Sequence, residues 1–211
     1  GKANSKYRHK KQSGGSGQFA EVWLRVEAAP RGEGIDFSNS LAGQNVDRGF
    51  VPSVEKGINH VCHEGVIAGC KVVDVKIDFY DGKMHPVDSN DMAFQIAGRH
   101  AFTEAVKNAQ PKLLEPIYKI QVKVPDDAMG DVMGDISSRR GKVQGMDSDG
   151  HFQIINAEVP LANLHDYATA LKSMSSGRGM FSNEFSHYED MPHIEAEKVI
   201  STWETARAAG E

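Results

Sequence analysis

Cysteine is nearly missing from this chain: Cys62 and Cys70 are the only two in 211 residues. Two thiols build no disulfide framework, so a reducing, cytoplasmic setting is the default. Long apolar runs are missing as well. No stretch of 18 apolar residues occurs, which excludes a helical membrane span. The opening "GKANSKYRHKK" has no apolar stretch behind its charges and does not read as a secretory leader. It begins without Met, which predicts a piece cut from a longer polypeptide. Acidic residues are absent from the first twenty positions, which hold Lys2, Lys6, Arg8, Lys10 and Lys11.

That last absence matters because the chain as a whole is acidic, with a net charge of −5. Residues 1–113 hold 15 Lys and Arg against 13 Asp and Glu, whereas residues 114–211 hold 9 against 16. A polyanion docks where the local field favours it, so the N-terminal region is the candidate contact surface. Hydrophobic residues make up 39% of the chain, enough for a core in each of two domains.

Catalytic signatures are also missing. The glycine loop "GGSGQ" (14–18) lacks the Gly-Lys-Ser/Thr ending of a phosphate-binding loop. It precedes a strand instead of opening a helix, which excludes a dinucleotide fingerprint. Two readings stay open for it: a hairpin turn built on glycines, or a bare-backbone loop that lets a sugar–phosphate chain approach beside Lys10 and Lys11. His60, Cys62, His63 and Cys70 lack the paired spacing of a zinc site, and "HEGVI" lacks the second His of a zincin. Asp81, Asp88 and Asp91 do not match a calcium loop. Arg139, Arg140 and Lys142 sit at a predicted helix end, as partners of its C-terminus or as phosphate contacts. No Ser-His-Asp set and no catalytic carboxylate pair emerges, so no metal and no bond-making chemistry is expected of this chain.

What is present is periodic. "QFAEVWLRVEAA" (18–29) alternates and predicts a half-buried strand; "IDFSNS" predicts another. Val51, Val54, Ile58 and Val61 step by three or four, with Pro52 in the first turn of that helix. "CKVVDVKIDFY" (70–80) predicts a strand and "DGKMHPVDS" a loop holding His85. Residues 90–110 predict a helix capped by Ser89 or Asn90 and ended by Pro111. "KLLEP" reads as a linker. A strand, a helix closed by Gly141, two strands around "DSDG", a helix and a last strand follow. That β-α-β-β-α-β order is the split arrangement of ferredoxin-like domains. A C-terminal helix fills 193–211.

"HKKQSGGSGQF" (9–19), "FVPSVEKGI" (50–58), "VVDVKIDFYDG" (72–82), "HPVDSNDMAFQIAG" (85–98), "GDVMGDISSRRGKVQGM" (130–146) and "YATALKSMSSGRGMFSNEFSHYE" (167–189) together resemble the C-terminal two domains of bacterial elongation factor G. The resemblance runs from about residue 6 to about residue 192. It implies an α+β chain of two domains: 1–113, like the fourth domain and ribosomal protein S5-like, and 114–192, like the ferredoxin-like fifth. It implies a ribosome-binding monomer acting in tRNA–mRNA translocation, with no membrane partner. GTP and Mg would belong to a GTPase domain outside this sequence. Partners would be ribosomal RNA, the tRNA–mRNA duplex at the decoding centre, and the stalk base.

By resemblance, the tip at the decoding centre comprises Lys10, Lys11, Gln12, Ser13, Gly14, Gly15, Ser16, Gly17 and Gln18 on one loop. Asp81, Gly82, His85, Asp88 and Ser89 form the other. Arg139, Arg140 and Lys142 are ribosome-contact candidates in the second domain. Three departures stand out: Ser16 where Arg is common, Ala20 where Gly is usual, and "AGQNVDRGF" (42–50) where Gly-Gly-x-Ile-Pro is usual. They leave a paralogue specialised in ribosome recycling as the alternative. A ribosomal-protection factor and a stand-alone RNA-binding protein are further alternatives.

Overall fold

The computed structural model describes residues 1–210. The chain divides into two compact units, Gly1–Lys112 joined by the C-terminal segment from His193, and Leu113–Pro192. The fold is α+β, with two four-stranded sheets.

The first unit runs β1 (Lys2–Lys11), β2 (Gln18–Ala28), β3 (Ile35–Asn39), α1 (Val51–Glu64), β4 (Val75–Lys83) and α2 (Asp91–Asn108), in the sheet order β1-β2-β4-β3. β1, β2 and β4 pair antiparallel, and β3 and β4 form a parallel pair connected through α1. Ala20, Val22, Leu24 and Val26 send one face of β2 into the core, where Ile77, Phe79, Phe94 and Phe102 meet them. Asn90 caps α2, its side chain accepting from the Ala93 amide. α1 and α2 cross with almost nothing between them. A Cβ built on Gly57 would lie 2.3 Å from the Gln95 carbonyl, and one on Gly98 would lie 3.0 Å from the Val54 carbonyl. α5 (His193–Ala209) belongs to this unit, and a Cβ on Gly69 would lie 3.0 Å from the Trp203 indole nitrogen.

The second unit runs β5 (Leu114–Pro125), α3 (Met129–Ser138), β6 (Lys142–Asp149), β7 (Phe152–Pro160), α4 (Tyr167–Met174) and β8 (Met180–Asp190). Its all-antiparallel order, β6-β7-β5-β8, is that of a ferredoxin-like sheet. Val122, Val124, Val132, Ile136, Ile155, Val159 and Leu171 form its core.

Four local readings change. β1 went unrecognised as a strand because its core-facing positions are Ala3, Ser5, Tyr7 and His9, which give no apolar period. Ser5 is held inside by donating to the Ala101 carbonyl at 2.5 Å, and Tyr7 stacks on His100. "KLLEP" is no linker from Leu114 onward: Leu114, Glu115 and Pro116 pair with Asp190, Glu189 and Tyr188 of β8. β7 joins only at Ile117, so Pro116 lies where one ladder suffices. β4 starts at Val75, since Asp74 (φ 54) leaves the ladder to accept from the amides of Gly32 and Gly34. The same strand runs on through Asp81, Gly82 and Lys83, residues read as loop. Finally, α3 closes on Arg140 (φ 61), with the Gly141 amide reaching back to the Ile136 carbonyl.

The helix crossing sets a stability contrast. Gly57→Ala must push α1 off a backbone carbonyl and is expected to lower stability by about 1–3 kcal/mol, the range of overpacked cores. Gly134→Ala in α3, where nothing lies within 4 Å of the new methyl, is expected to be neutral or to stabilise by up to ~1 kcal/mol. Urea midpoints of the two variants check both signs.

Candidate nucleic-acid interface

The tip is built by two loops that β2 brings together. The β1–β2 hairpin places Gln12, Ser13, Gly14, Gly15, Ser16 and Gly17 between strands paired down to Lys11 and Gln18. The second loop leaves β4 after Lys83 and enters α2 at Asn90. Two hydrogen bonds tie the second loop to the start of β2, and two more brace that loop internally. The Phe19 amide donates to the Asp88 carbonyl at 2.9 Å, and the Ser89 hydroxyl donates to the Phe19 carbonyl at 2.7 Å. That hydroxyl also accepts from the His85 amide at 2.8 Å, and the Ser89 amide returns to the His85 carbonyl at 3.2 Å.

His85 is oriented by its own loop. Its Nδ1 accepts from the amides of Val87 and Asp88, both at 3.2 Å. An Nδ1 that accepts carries no proton, so the ring holds its hydrogen on Nε2 as a donor not used by the loop. The side chain is half exposed, and Val87 beside it is 83% exposed. Asp88 lies against Gly17, where a Cβ would come 2.9 Å from the carboxyl carbon. Gly17 is therefore small for Asp88, not for a ligand. Gly14 (φ 84) and Gly15 (φ 131) have open space where a side chain would be. Their left-handed backbone is what requires glycine there. Thus the hairpin reading of the glycine loop is right, and its outer backbone is uncovered.

The other site residues divide as follows. Lys10 and Lys11 end β1 with exposed side chains, and Gln18 Oε1 accepts from His9 Nε2 at 2.8 Å. Asp81 and Gly82 lie in β4, not in a loop. Asp81 accepts from the Gly82 amide and from Asn45, and a Cβ on Gly82 would lie 2.3 Å from the Glu21 carbonyl. In the second unit the two arginines are engaged internally. Arg139 donates to Asp135, to the carbonyls of Asn163 and His165 and to Asp166, and stacks over Tyr167. Arg140 forks onto buried Glu115. Lys142 is the exposed member of the three, opposite Glu158 in register.

One buried charge beneath the loops escaped the sequence reading. Glu21, placed on the solvent side by alternation, is 1% exposed. Its carboxylate accepts from Arg8 Nε and Trp23 Nε1, each at 3.0 Å, with Lys83 Nζ at 4.0 Å. These partners come from β1, β2 and β4 just below the loops. Burial pushes the carboxyl up, but the Trp23 and Arg8 hydrogen bonds and the charges of Arg8 and Lys83 outweigh it and hold it below its usual value.

Among the described residues, His60, Cys62 and His63 of α1 and Cys70 in the loop after it are not gathered into a metal-ligand group: Cys62 is buried, its thiol pushed up to about 11 by burial, Cys70 is exposed, and His60 pairs with Glu64. Among the described residues, Glu158, His187 and Glu189 form the one group with metal-ligand geometry. The His187 ring bonds to both Ser186 and Glu189. Ala20, one of the departures, is fully buried, its methyl absorbed by the core. In the segment 42–50 Arg48 donates to the carbonyls of Leu41, Gly43 and Val46, and Asp47 accepts from the Gly49 amide.

Residues 1–110 match the family profile described as Elongation factor G, domain IV, and residues 112–199 match Elongation factor G C-terminus. The chain is 46% identical over 190 residues to Elongation factor G of Aquifex pyrophilus, spanning 90% of this chain and 27% of that protein. A crystal structure of a protein from Thermus thermophilus superposes with a TM-score of 0.83 at 38% identity, over 97% of this chain and 30% of the other. The chain therefore spans under a third of the length of these relatives.

The Glu21 cluster has a pH signature. A carboxyl held low when folded contributes stability above its unfolded value, near ~4.3, and loses it as pH falls through the lower folded one. Glu21→Gln is expected to cost about 1–3 kcal/mol at pH 7. Urea unfolding across pH 2–7 should show the gap closing as pH falls from the unfolded value through the lower folded one, where the wild-type carboxyl takes up its proton.

Proposed function

The chain belongs to the elongation factor G family, whose domain IV and C-terminal domain it carries, and from that premise we propose that it is the ribosome-contacting part of a translational GTPase that promotes tRNA–mRNA translocation. The tip carries this reading. Two loops fixed to one another present uncovered glycine backbone, an outward His85 Nε2–H, and the cations Lys10 and Lys11. Small residues admit a nucleic acid closely, and the donors face phosphate and sugar edges with no dedicated base-reading pocket. That is recognition of backbone and shape, which a factor that accepts every codon requires. We place the codon–anticodon duplex against this tip, the first unit in the decoding region, and the second unit near the stalk base. The setting is cytoplasmic and the factor acts as a monomer.

The residues present do not fit a nucleotide. The glycine loop joins two antiparallel strands and opens no helix, so it offers no helix N-terminus to a triphosphate. GTP and Mg belong, in this proposal, to a part of the longer protein outside these 211 residues. The work done here is steric and electrostatic: the tip occupies space beside the duplex and holds it.

The test is single-round translocation by the full-length factor on defined ribosome complexes, read as a three-nucleotide shift of the mRNA. Wild type should move the mRNA. His85→Ala removes one positioned donor and should slow movement roughly tenfold, the effect of about 1.4 kcal/mol, with ribosome-stimulated GTP hydrolysis nearly intact. Loss of both together would rule out the tip role. GTP hydrolysis by the wild type without any movement would turn the assignment to ribosome recycling.

A further inference from the structure

The face of the first sheet that points away from α1 and α2 carries half-buried Phe19, Trp23 and Tyr80 among charged side chains. Its edge strand β1 sends Lys2, Lys6, Arg8 and Lys10 outward at every second position except Asn4, with no acid among them. Alternate residues of a strand repeat every ~6.7 Å, close to the spacing of successive phosphates in a nucleic-acid strand. The row starts at the tip and runs away from it along the strand.

Two of these cations are held in place. Lys6 Nζ sits 4.7 Å above the Trp23 ring, and Arg8 lies 5.8 Å from the Phe19 ring while its Nε donates to Glu21. Trp23 is fixed in turn by its own hydrogen bond to Glu21 and by edge contact with Tyr80. A long cation ordered beforehand loses less freedom when a ligand arrives. Arg8 remains half exposed despite these contacts. Lys2, at the far end, meets Glu27 of β2 at 2.9 Å and stays open to solvent. Lysines on a sheet edge also prevent edge-to-edge pairing of strands, a role that any charge fills equally well. Aromatic seats under the cations are not needed for that role, and they favour a ligand.

We infer that the outer face of β1, through Lys2, Lys6, Arg8 and Lys10, is a second RNA-contact strip that tracks a sugar–phosphate strand of ribosomal RNA. The inference rests on the proposed ribosomal role only for the source of the RNA. Since the tip is assigned to the tRNA–mRNA duplex and the strip leads away from it, the occupant is the ribosome's own RNA. The positive sign, the phosphate-like repeat and the continuity with the tip select a polyanionic strand.

The experiment uses the 211-residue chain, a fluorescent RNA hairpin of about 20 base pairs, and co-sedimentation with vacant ribosomes. Binding should weaken as salt rises. Lys6→Glu, and more so Lys2→Glu with Lys6→Glu, should weaken hairpin binding roughly tenfold per site at low salt. Each phosphate no longer neutralised should flatten the log–log salt slope by about one. Co-sedimentation should fall in parallel. Lys6→Arg, which keeps the charge and stacks on Trp23, should bind as wild type does. Because Glu keeps the edge charged, a purely anti-aggregation role predicts no change and would overturn the inference. The tip variant Lys11→Ala with His85→Ala separates the two assignments. If it alone loses binding, the strip is wrong and the tip reading stands. If only the strip variants lose binding, the strip stands, and the tip reading is judged by the translocation assay. If wild type binds neither RNA nor ribosomes, both fall.

Discussion

Strand β2 is paired on both sides, and its first residues carry both halves of the tip. Phe19 is the hinge point of that constraint: its amide and carbonyl are taken by Asp88 and Ser89 of the far loop, while Lys10 faces it across the hairpin. One residue further in, Ala20 turns into the core, and Glu21 turns to the opposite side to gather Arg8, Trp23 and Lys83. The backbone ladder fixes the distance between the loops, and the buried carboxylate fixes the cations beneath them. The glycine loop has little internal structure, whereas the second loop is braced around His85 by its own hydrogen bonds. Their position relative to each other follows from how β2 is held by β1 and β4.

Legibility of the sequence followed apolar contrast. β2, β4, β5, β7, α1 and α3 have one face rich in Val, Ile, Leu or Phe and another of polar residues, so their period shows, and α2 shows it through Phe94, Phe102 and a row of alanines. β1 has no such contrast, because its inward face is satisfied by a hydroxyl bonded to a carbonyl and a Tyr–His stack. With β1 unseen, Glu21 could only be read as a solvent-facing acid. The clue was the pairing of Arg8 with Glu21 across a hairpin centred on the glycines, which needs the strand to be recognised first. In the second unit, three neighbouring cations looked equivalent, yet a left-handed backbone at Arg140 and a cluster of carbonyls around Arg139 turn two of them inward. The tip's position came from resemblance to a known family. Its hydrogen bonding did not, since contacts between residues 19 and 88 have no local signal.

Net charge misleads for a molecule of this kind. The chain is acidic overall, but acids and bases are segregated by element. β1 carries cations on its open face, while the outer face of β2 and β4 mixes Glu21, Glu27, Asp78 and Asp81 with Arg25 and Lys83. Screening at physiological salt acts over about 8 Å, so a phosphate strand at the β1 edge meets the cations of β1 and the neighbouring acids of β2, with Glu27 at 2.9 Å from Lys2 among them.

The bare crossing of α1 and α2 bears on mechanics as well as on stability. Where two helices meet at Gly57 and Gly98, the nearest atoms across the crossing are backbone carbonyls, with the Arg99 and Val54 side chains packed beside them. Such a joint has low compliance: it transmits displacement without absorbing it, much as a close-packed solid does. A body that must deliver force at one end while being pushed at the other gains from that stiffness. The two glycines then matter for how faithfully a movement at the base of this domain arrives at its tip.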